Sequence, residues 1–226
     1  MRPLRVFVGW DEREPAAYHV LCHSILSRAR GPVAITPLVR STLTRAGLYR
    51  RVRTPSESTD FSMTRFLTPH LAGYEGPAIF MDCDMLCLGD VFDLLHLAPP
   101  EAAVSVCQHD YVPKTATKFL GQSQTTYPRK NWSSMMVFRT GLCRPLTPSY
   151  VSLATPMDLH RLSWVGDLPI GSLPLEWNWL VGEYEPNPAA KILHFTIGGP
   201  WFPEFAGTDH ADLWFDEAKR AGVSVS

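Results

Sequence analysis

Two carboxylates follow an apolar run in the first half of the chain. Ala78–Met81 is apolar, and Asp82 and Asp84 come directly after it, separated by Cys83. Alternate residues of an extended chain point to the same side, so the two acids can share one face. Adjacent carboxylates repel each other unless a cation joins them, which indicates a divalent-metal site at a strand end. The alternative is a solvated turn or a helix cap.

Residues near the other end of the chain suggest a third ligand and a phosphate contact. His194 ends a short apolar run and precedes a glycine pair; it is either a metal ligand or a core histidine bonded to backbone. Gly198 and Gly199 lack a Cβ, so their N–H groups can come close to a phosphate. The alternative is an ordinary turn before Pro200. A cation with few protein ligands keeps positions open for water and ligand phosphates.

Composition limits the partners. The chain has 226 residues, 21 basic and 22 acidic, with a formal net charge of −1. It offers no basic footprint for nucleic acid or for a membrane surface. The five cysteines lack paired Cys-x-x-Cys spacing, which favours reduced thiols. The sequence predicts no signal peptide and no transmembrane segment, so we expect a cytoplasmic protein. Oligomeric state is not indicated.

The elements that must position these residues alternate between strands and helices. Predicted strands are Leu4–Gly9, Val33–Val39, Ala78–Met81, Ala102–Gln108, Ser134–Arg139 and Lys191–Phe195. Predicted helices are Glu14–Arg28, Leu43–Tyr49, Thr59–Leu71, Asp90–Leu95 with Asp90 as N-cap, and Asp209–Ala221 with Leu213, Trp214, Phe215 and Ala218 facing inward. Residues 110–131 predict a long functional loop. We expect one α/β domain over 1–226, with a nucleotide-binding half (about 1–110) and a loop-rich acceptor half (about 111–226).

The order and spacing of several motifs resemble glycosyltransferase family 8 of the GT-A nucleotide-sugar transferases. The resemblance runs from Val6 to about Trp201. The matching residues are Asp82-Cys83-Asp84, Arg65 in the preceding helix, Asn131-Trp132-Ser133-Ser134, Leu173-Pro174-Leu175-Glu176-Trp177-Asn178, and His194 through Pro200-Trp201. This resemblance implies a GT-A type, Rossmann-like mixed sheet flanked by helices. It implies retaining transfer of a sugar from a nucleotide diphosphate donor, a UDP-sugar, to a glycan, lipid-linked or other acceptor, as in a bacterial-type enzyme.

The resemblance also implies roles for individual residues. Asp82, Asp84 and His194 would hold Mn²⁺ or Mg²⁺. The nucleotide-sugar would contact Val8, Asp11, Tyr18, Arg65, Asp82, Cys83, Asn178, Gly198 and Gly199. Catalytic roles would fall to Asn131, Asp167 and Trp177, with Trp201 also lining the sugar pocket. Asp11 has two open interpretations, an acceptor for a base N–H or the N-cap of the following helix.

Two departures from the family pattern stand out. The family's lysine before Pro-Trp is replaced by Gly199, so the diphosphate charge must be met by metal, by backbone N–H groups, or by Lys118, Lys191 or Arg65. The family's Asp-Gln-Asp helix motif is missing, and Asp158 and Asp167 lie near its place. Two other functions remain open, a metal-dependent nucleotidyltransferase and a non-catalytic nucleotide-sugar or carbohydrate-binding domain. The first would normally have a glycine-rich basic loop after the first strand, which Val8–Asp11 lacks.

Overall fold

The computed structural model describes residues 2–54, 57–115, 117, 119–121 and 128–224. The strands are β1 (Leu4–Gly9), β2 (Val33–Leu38), β3 (Pro77–Met81), β4 (Met85–Cys87), β5 (Val104–Cys107), β6 (Met135–Arg139), β7 (Ile170–Leu173), β8 (Trp179–Leu180) and β9 (Ile192–His194). The α-helices are α1 (Pro15–Arg28), α2 (Arg40–Arg45), α3 (Thr68–Leu71), α4 (Asp93–Leu97), α5 (Pro148–Leu153), α6 (Pro156–His160) and α7 (Ala211–Arg220). No helix among the described residues is both long enough and apolar enough to cross a membrane.

The larger sheet has six strands in the order β2-β1-β3-β6-β5-β7. Strand β1 pairs in parallel with β2 and β3, and β5 pairs in parallel with β7. Strand β6 is antiparallel to both of its neighbours, β3 and β5. The sequence prediction of a mixed α/β sheet flanked by helices is therefore confirmed, as is the first parallel β-α-β unit.

This topology gathers chemically useful residues at one edge of the sheet. The carboxyl ends of β1, β3 and β5 meet there, together with the amino end of the reversed strand β6. Ligands of open α/β sheets bind beyond the carboxyl ends of the strands. The segments that follow or precede these ends carry Trp10-Asp11, Asp82, His109 and Asn131 through Ser134.

A second, three-stranded sheet in the order β4-β9-β8 stands beside the first. Its core cluster includes Leu86, Leu193 and Phe195 together with Trp201 and Trp214, and it packs against α1 and α7. The larger cluster fills the space around the six-stranded sheet. The turn at Asp82–Asp84 joins β3 of one sheet to β4 of the other, so both sheets position its carboxylates.

Several predicted elements differ from the observed ones. Thr59–Leu71 is not one helix but a 3₁₀ turn (Thr64–Leu67) followed by the short α3, which has Pro69 in its first turn. Helix α4 begins at Asp93, and Asp90 accepts the Phe92 N–H through Oδ1 at 3.0 Å instead of capping it. Helix α2 ends at Arg45, before most of the predicted Leu43–Tyr49.

The predicted inward face of α7 is correct for two of its four residues. Trp214 and Ala218 are buried, whereas Leu213 and Phe215 are 37% and 39% exposed and Glu217 is buried in addition. The Glu217 carboxylate is accommodated because Arg28 Nη2 and His23 Nδ1 lie 2.7 and 2.6 Å from its oxygens. Helical periodicity does not reveal such a buried acid, since two of its partners come from α1 and only Arg220 lies on the same helix.

Candidate metal and donor site

The two central carboxylates are anchored by main-chain hydrogen bonds from opposite sides. The Asp82 N–H donates to the Ser134 carbonyl at 2.8 Å, and the Phe195 N–H donates to the Asp84 carbonyl at 2.9 Å. Cys83 is fully buried, and burial followed by nearby carboxylates raises the pKa of its thiol well above the usual range. A protonated, buried thiol is a poor metal ligand. The side-chain oxygens of Asp82 and Asp84 and a ring nitrogen of His194 lie within 4.8 Å of one another.

His194 presents one defined nitrogen to these carboxylates. It ends β9 opposite Met85, and its Nε2 lies 3.4 Å from Asp84 Oδ1. Its Nδ1 lies 2.9 Å from Oδ1 of Asn178, whose Nδ2 donates to Ser134 Oγ at 2.9 Å. Because Asn178 offers an oxygen here, Nδ1 carries a proton, and Nε2, on the side of Asp84, is the nitrogen that can bind a cation. An imidazole oriented in this way beside two carboxylates fits a divalent cation.

Asn178 was predicted to contact the nucleotide-sugar, but its side chain is fully buried behind His194. Its Nδ2 also lies 3.5 Å from the Asn131 carbonyl, and Ser134 Oγ donates to the same carbonyl at 2.7 Å. Asn178 therefore orients His194 and links it to the segment before β6. The geometry assigns it a positioning role.

Arg65 lies beside Asp82. Its Nη1 is 2.9 Å from Asp82 Oδ1 and donates to the Ser133 carbonyl at 2.8 Å. The guanidinium also lies over Phe80 and Phe61, 5.0 and 5.4 Å from their ring centroids. It therefore balances one of the two carboxylate charges. Of the other cations considered, Lys191 is exposed and precedes the end of β9 remote from His194, and Lys118 lies outside the described residues.

Asp11 is occupied by contacts within the chain. Its Oδ1 accepts from Arg13 Nε at 2.8 Å, and its Oδ2 accepts the Asp60 N–H at 3.1 Å. Burial alone would raise the pKa of Asp11, but the Arg13 and Asp60 hydrogen bonds outweigh it and lower that pKa. Asp11 does not cap α1, because Glu14 holds the N-cap position. A base contact by Asp11 stays a prediction.

Glu14 is a buried acid that the sequence interpretation had assigned only to a helix start. Burial, followed by the charges of Asp84 and Asp11, raises the pKa of Glu14 well above its ordinary value. It therefore adds a third acidic side chain close to the carboxylate pair. Its signal in the sequence was its place after the first strand, at the same edge of the sheet as Asp82.

A cavity of about 330 Å³ opens at the ends of β1 and β2. Its lining combines an indole, a guanidinium, hydroxyls and carboxylates: Trp10, Glu12, Val39, Arg40, Ser41, Thr44 and Asp60. Val8 and Tyr18 were predicted to contact the nucleotide-sugar. Val8 is fully buried inside β1, whereas Tyr18 packs edge-on against Trp10, with the ring centroids 5.0 Å apart. The cavity has the aromatic and polar character of a nucleoside site.

The glycine pair after His194 is required by packing. The Gly198 N–H donates to the Phe195 carbonyl at 3.0 Å, as in an ordinary turn. A Cβ on Gly198 would lie 2.4 Å from the Phe205 ring, and one on Gly199 would lie 2.0 Å from the Trp201 ring. No side chain fits at residue 199 without moving Trp201, which explains why a lysine is not accommodated there.

The predicted catalytic residues separate into two groups. Asn131 lies at the site in a left-handed conformation (φ 60°), and its Nδ2 donates to Tyr111 Oη at 2.7 Å and Thr196 Oγ1 at 3.3 Å. Asp167, by contrast, is exposed in the turn before β7, at the opposite edge of the sheet. The structure does not bring Asp167 to the carboxylates.

The two tryptophans assigned to the sugar pocket are packed into the core. The outer edge of the Trp177 indole packs against Gly89, beyond the end of β4 remote from Asp84. Trp201 packs against Phe195 and Trp214, with ring centroids 5.9 and 5.2 Å away. Core packing accounts for both side chains.

Comparison with known proteins identifies a relative by sequence and solved structures with a similar fold. No protein-family model matches the chain. Among solved structures it is similar to the WbbM bifunctional glycosyltransferase (TM-score 0.63, 17% identity, covering 96% of this chain and 49% of that one). It is also similar to the glycosyltransferase GlyE of Streptococcus pneumoniae TIGR4 (TM-score 0.63, 12% identity, covering 96% of this chain and 60% of that one). A third similar structure is the galactosyltransferase LgtC in complex with donor and acceptor sugar analogs (TM-score 0.59, 10% identity, covering 96% of both chains).

These likenesses establish a GT-A type fold, and the chain spans only about half of WbbM and 60% of GlyE. Protein CDI of Arabidopsis thaliana is 47% identical over 226 residues, which cover 97% of this chain and 87% of the plant protein. An identity of this size along nearly the whole chain establishes common membership. The chain therefore belongs to the family of Protein CDI.

Proposed function

We propose that the chain is a metal-dependent retaining glycosyltransferase that uses a nucleotide diphosphate donor, a UDP-sugar, and a glycan or lipid-linked acceptor. The observation that carries the proposal is the Asp82, Asp84 and His194 group, in which Nε2 of His194 lies on the side of Asp84. Retention and the uridine base rest on the resemblance to glycosyltransferase family 8. The GT-A fold of the solved relatives supports the reaction class.

Mn²⁺ or Mg²⁺ would be held by Asp82, Asp84 and His194. Carboxylate oxygens suit both ions, and the imidazole nitrogen makes Mn²⁺ the better match. Arg65 balances the charge of Asp82, so the Asp84 carboxylate is the charge that a bound cation would meet most directly. When bound, the cation supplies positive charge that stabilises the leaving diphosphate.

The remaining side chains would orient the donor. The nucleoside would occupy the cavity beside Trp10, with carboxylates and hydroxyls available for the ribose. Arg65 is directed toward Asp82 by the Ser133 carbonyl and the two phenylalanines, so its guanidinium stays beside the carboxylates, where the donor diphosphate would bind. The two N–H groups of the Asn131 amide are used within the chain, which leaves its Oδ1 to accept a sugar hydroxyl.

The test begins with nucleotide release. Incubation with UDP-sugars is expected to release UDP when Mn²⁺ is present, and chelation is expected to abolish this release. No release and no transfer with any common UDP-sugar, despite tight binding of UDP and Mn²⁺, would favour the non-catalytic binding domain instead.

The Asp84→Asn variant tests the metal group directly. It removes a charged ligand while keeping the shape, so calorimetric affinity for UDP with Mn²⁺ should fall at least about 100-fold, the upper end of losses seen for metal-site partners. Asp216→Asn, at an exposed acid on α7, is the matched control and should bind like the parent protein. Unchanged binding by Asp84→Asn would rule out this metal site.

A further inference from the structure

An aromatic cluster adjoins the metal-ligand group and has no role in the proposal so far. It consists of His109, Tyr111, Trp179 and Tyr184. The His109 ring centroid lies 6.3 Å from that of Tyr111 and 5.8 Å from that of Tyr184. Tyr111 and Tyr184 are themselves 5.9 Å apart in an edge-on arrangement. The cluster therefore brings the segment after β5 against the segment after β8.

His109 is held rigidly at the centre of this aromatic cluster. It is only 5% exposed, and its carbonyl accepts the Trp132 indole N–H at 2.9 Å. Its Nδ1 lies 2.9 Å from Tyr184 Oη. Burial, and secondly the proximity of His194, lowers the pKa of His109 to about 3, so the ring is neutral near pH 7. Asn131 links this cluster to the candidate metal group, because its Nδ2 donates both to Tyr111 Oη and to Thr196 Oγ1, two residues after His194.

The other ring nitrogen of His109 has a hydrogen bond left to make. Its Nε2 is buried and has no hydrogen-bond partner in the part of the chain that the structure describes. If Tyr184 donates to Nδ1, then Nε2 is a donor; if Tyr184 accepts, then Nε2 is an acceptor. Either state is costly without a partner, and such groups in native proteins usually receive one from water or a ligand.

The surroundings of His109 suit a sugar ring. Tyr111, Trp179 and Tyr184 are half-buried and offer part of their ring surface to solvent. Aromatic surface suits the apolar face of a pyranose, and a few convergent polar groups fix its orientation. Asn131 is bonded to Tyr111 and Thr196, and it adds the free amide oxygen described above.

We propose that His109 is a further substrate-binding residue, whose Nε2 hydrogen-bonds to a hydroxyl of a pyranose ring that packs against Tyr111 and Tyr184. The pyranose is either the sugar of the donor or that of the acceptor, which share this chemistry. This inference rests on the proposed function, because it assumes a sugar substrate beside the metal group.

Three variants separate the two nitrogens of His109. His109→Asn places an amide near the Nδ1 position and removes the group at Nε2, whereas His109→Gln places an amide near Nε2. His96→Asn, at an exposed histidine of α4, is the matched control. Thermal melting of each variant without ligand checks that the fold is retained.

Binding is measured in three arms. The first uses UDP with Mn²⁺ alone, where His109→Asn should equal the parent protein within about twofold. The second compares UDP-glucose and UDP-galactose with UDP by calorimetry. The third adds methyl glucoside or methyl galactoside to the protein saturated with UDP and Mn²⁺, and detects it by saturation-transfer NMR. The sugar-dependent part of the affinity should fall about tenfold in His109→Asn, as expected for one lost hydrogen bond to a neutral group. It should recover partly in His109→Gln.

The arms distinguish the possible outcomes. A loss in the second arm assigns the donor sugar to His109, and a loss in the third arm assigns the acceptor. Equal sugar binding by the parent protein and His109→Asn in both arms overturns the inference and leaves Nε2 to water. Failure of the parent protein to bind UDP with Mn²⁺ in the first arm is the separate failure of the proposed function, and it withdraws the ground for a sugar at His109.

Discussion

At the residue scale, the properties of the site depend on side chains that do not touch the substrate. His194 has two nitrogens, and only its contact with Asn178 determines which of them faces Asp84. Asn178 in turn is oriented by Ser134, because an amide that donates to a hydroxyl must present its oxygen to the histidine. Replacing the Asn178 amide would therefore change the orientation of His194, although no atom that binds the cation is altered.

We predict that Asn178→Leu lowers Mn²⁺ affinity by about 10- to 100-fold, the range typical of lost outer-shell partners. Leucine has the same branched outline, although it is larger, and offers no acceptor to Nδ1–H, so His194 can rotate or change tautomer. Asn178→Asp keeps an acceptor for Nδ1–H and should bind Mn²⁺ more tightly than Asn178→Leu. Mn²⁺ binding followed by electron paramagnetic resonance measures both. Equal affinity of the two variants would show that Asn178 does not orient His194.

At the element scale, the segment after β9 explains a departure from the family pattern. Trp201 is confined by Phe195, Phe202 and Trp214. Its ring occupies the space into which a side chain at residue 199 would project. The absence of a lysine at this position, relative to the glycosyltransferase family 8 pattern, agrees with the packing of the second core cluster. Arg65 is a cation that does lie beside Asp82.

We expect Gly199→Ala to destabilise the protein by about 1–3 kcal/mol, the usual cost of overpacking a core. The added methyl group would lie 2.0 Å from the Trp201 ring, which packs against Phe195 and Trp214. Gly207→Ala is the matched control, because its Cβ would meet no atom within 4 Å. Urea unfolding of both variants provides the comparison. A Gly199→Ala protein as stable as Gly207→Ala would contradict this packing account.

The strands also show how much of the fold the sequence could predict. The long apolar runs of β1, β3 and β6 identified the sheet and its chemical edge, because burial on both faces leaves a continuous apolar signal. Strands β4, β7 and β8 were not predicted. They have only 3, 4 and 2 residues, and β7 contains Gly171, where a side chain would collide with Ser105 of the neighbouring strand. Such cross-strand contacts leave little trace in a local pattern.

The candidate site was predictable to a similar degree. Asp82, Asp84, His194, Arg65 and Asn131 carry recognisable local signals, and the structure brings all five together. Asp167 and Trp177 were assigned by motif position, and neither is placed at the carboxylates. His109 follows a buried strand at the same edge and could have been identified by that rule. The hydrogen bond at its Nδ1 involves Tyr184, 75 residues along the chain, and no local sequence pattern reveals such a contact.

At the scale of the whole molecule, the two predicted halves are interleaved. Strands from beyond residue 110 complete the six-stranded sheet, and β4 from the first half pairs with β9 from the second. The metal-ligand group spans both sheets. A ligand that binds only the folded chain should therefore raise the stability of both sheets together.

The acid stability of the molecule should depend on His160, a half-buried histidine that folding keeps neutral. His160 packs edge-on against Phe66, its Nδ1 lies 2.8 Å from Ser133 Oγ, and burial followed by Arg65 and Arg51 lowers the pKa of His160 to about 3. In the unfolded chain the pKa of His160 returns to about 6.5. Protons then bind preferentially to the unfolded chain, so this stabilisation is complete above pH 6.5 and declines as the pH falls toward 3.

We therefore predict that His160→Asn flattens the decline in unfolding free energy between pH 7 and pH 5, by an amount of the order of 1–2 kcal/mol. Asn keeps a nitrogen near Ser133 Oγ but does not titrate.

Asp11 and Glu217, whose pKa values are lowered, lose their stabilisation only below about pH 4.5, outside this window. Glu14, with a raised pKa, acts in the opposite direction, but it does so equally in both proteins, so the difference isolates His160. Urea midpoints at pH 7, 6 and 5 measure it, with His96→Asn as the exposed control. Parallel curves for His160→Asn and the parent protein would show that His160 is not kept neutral by folding.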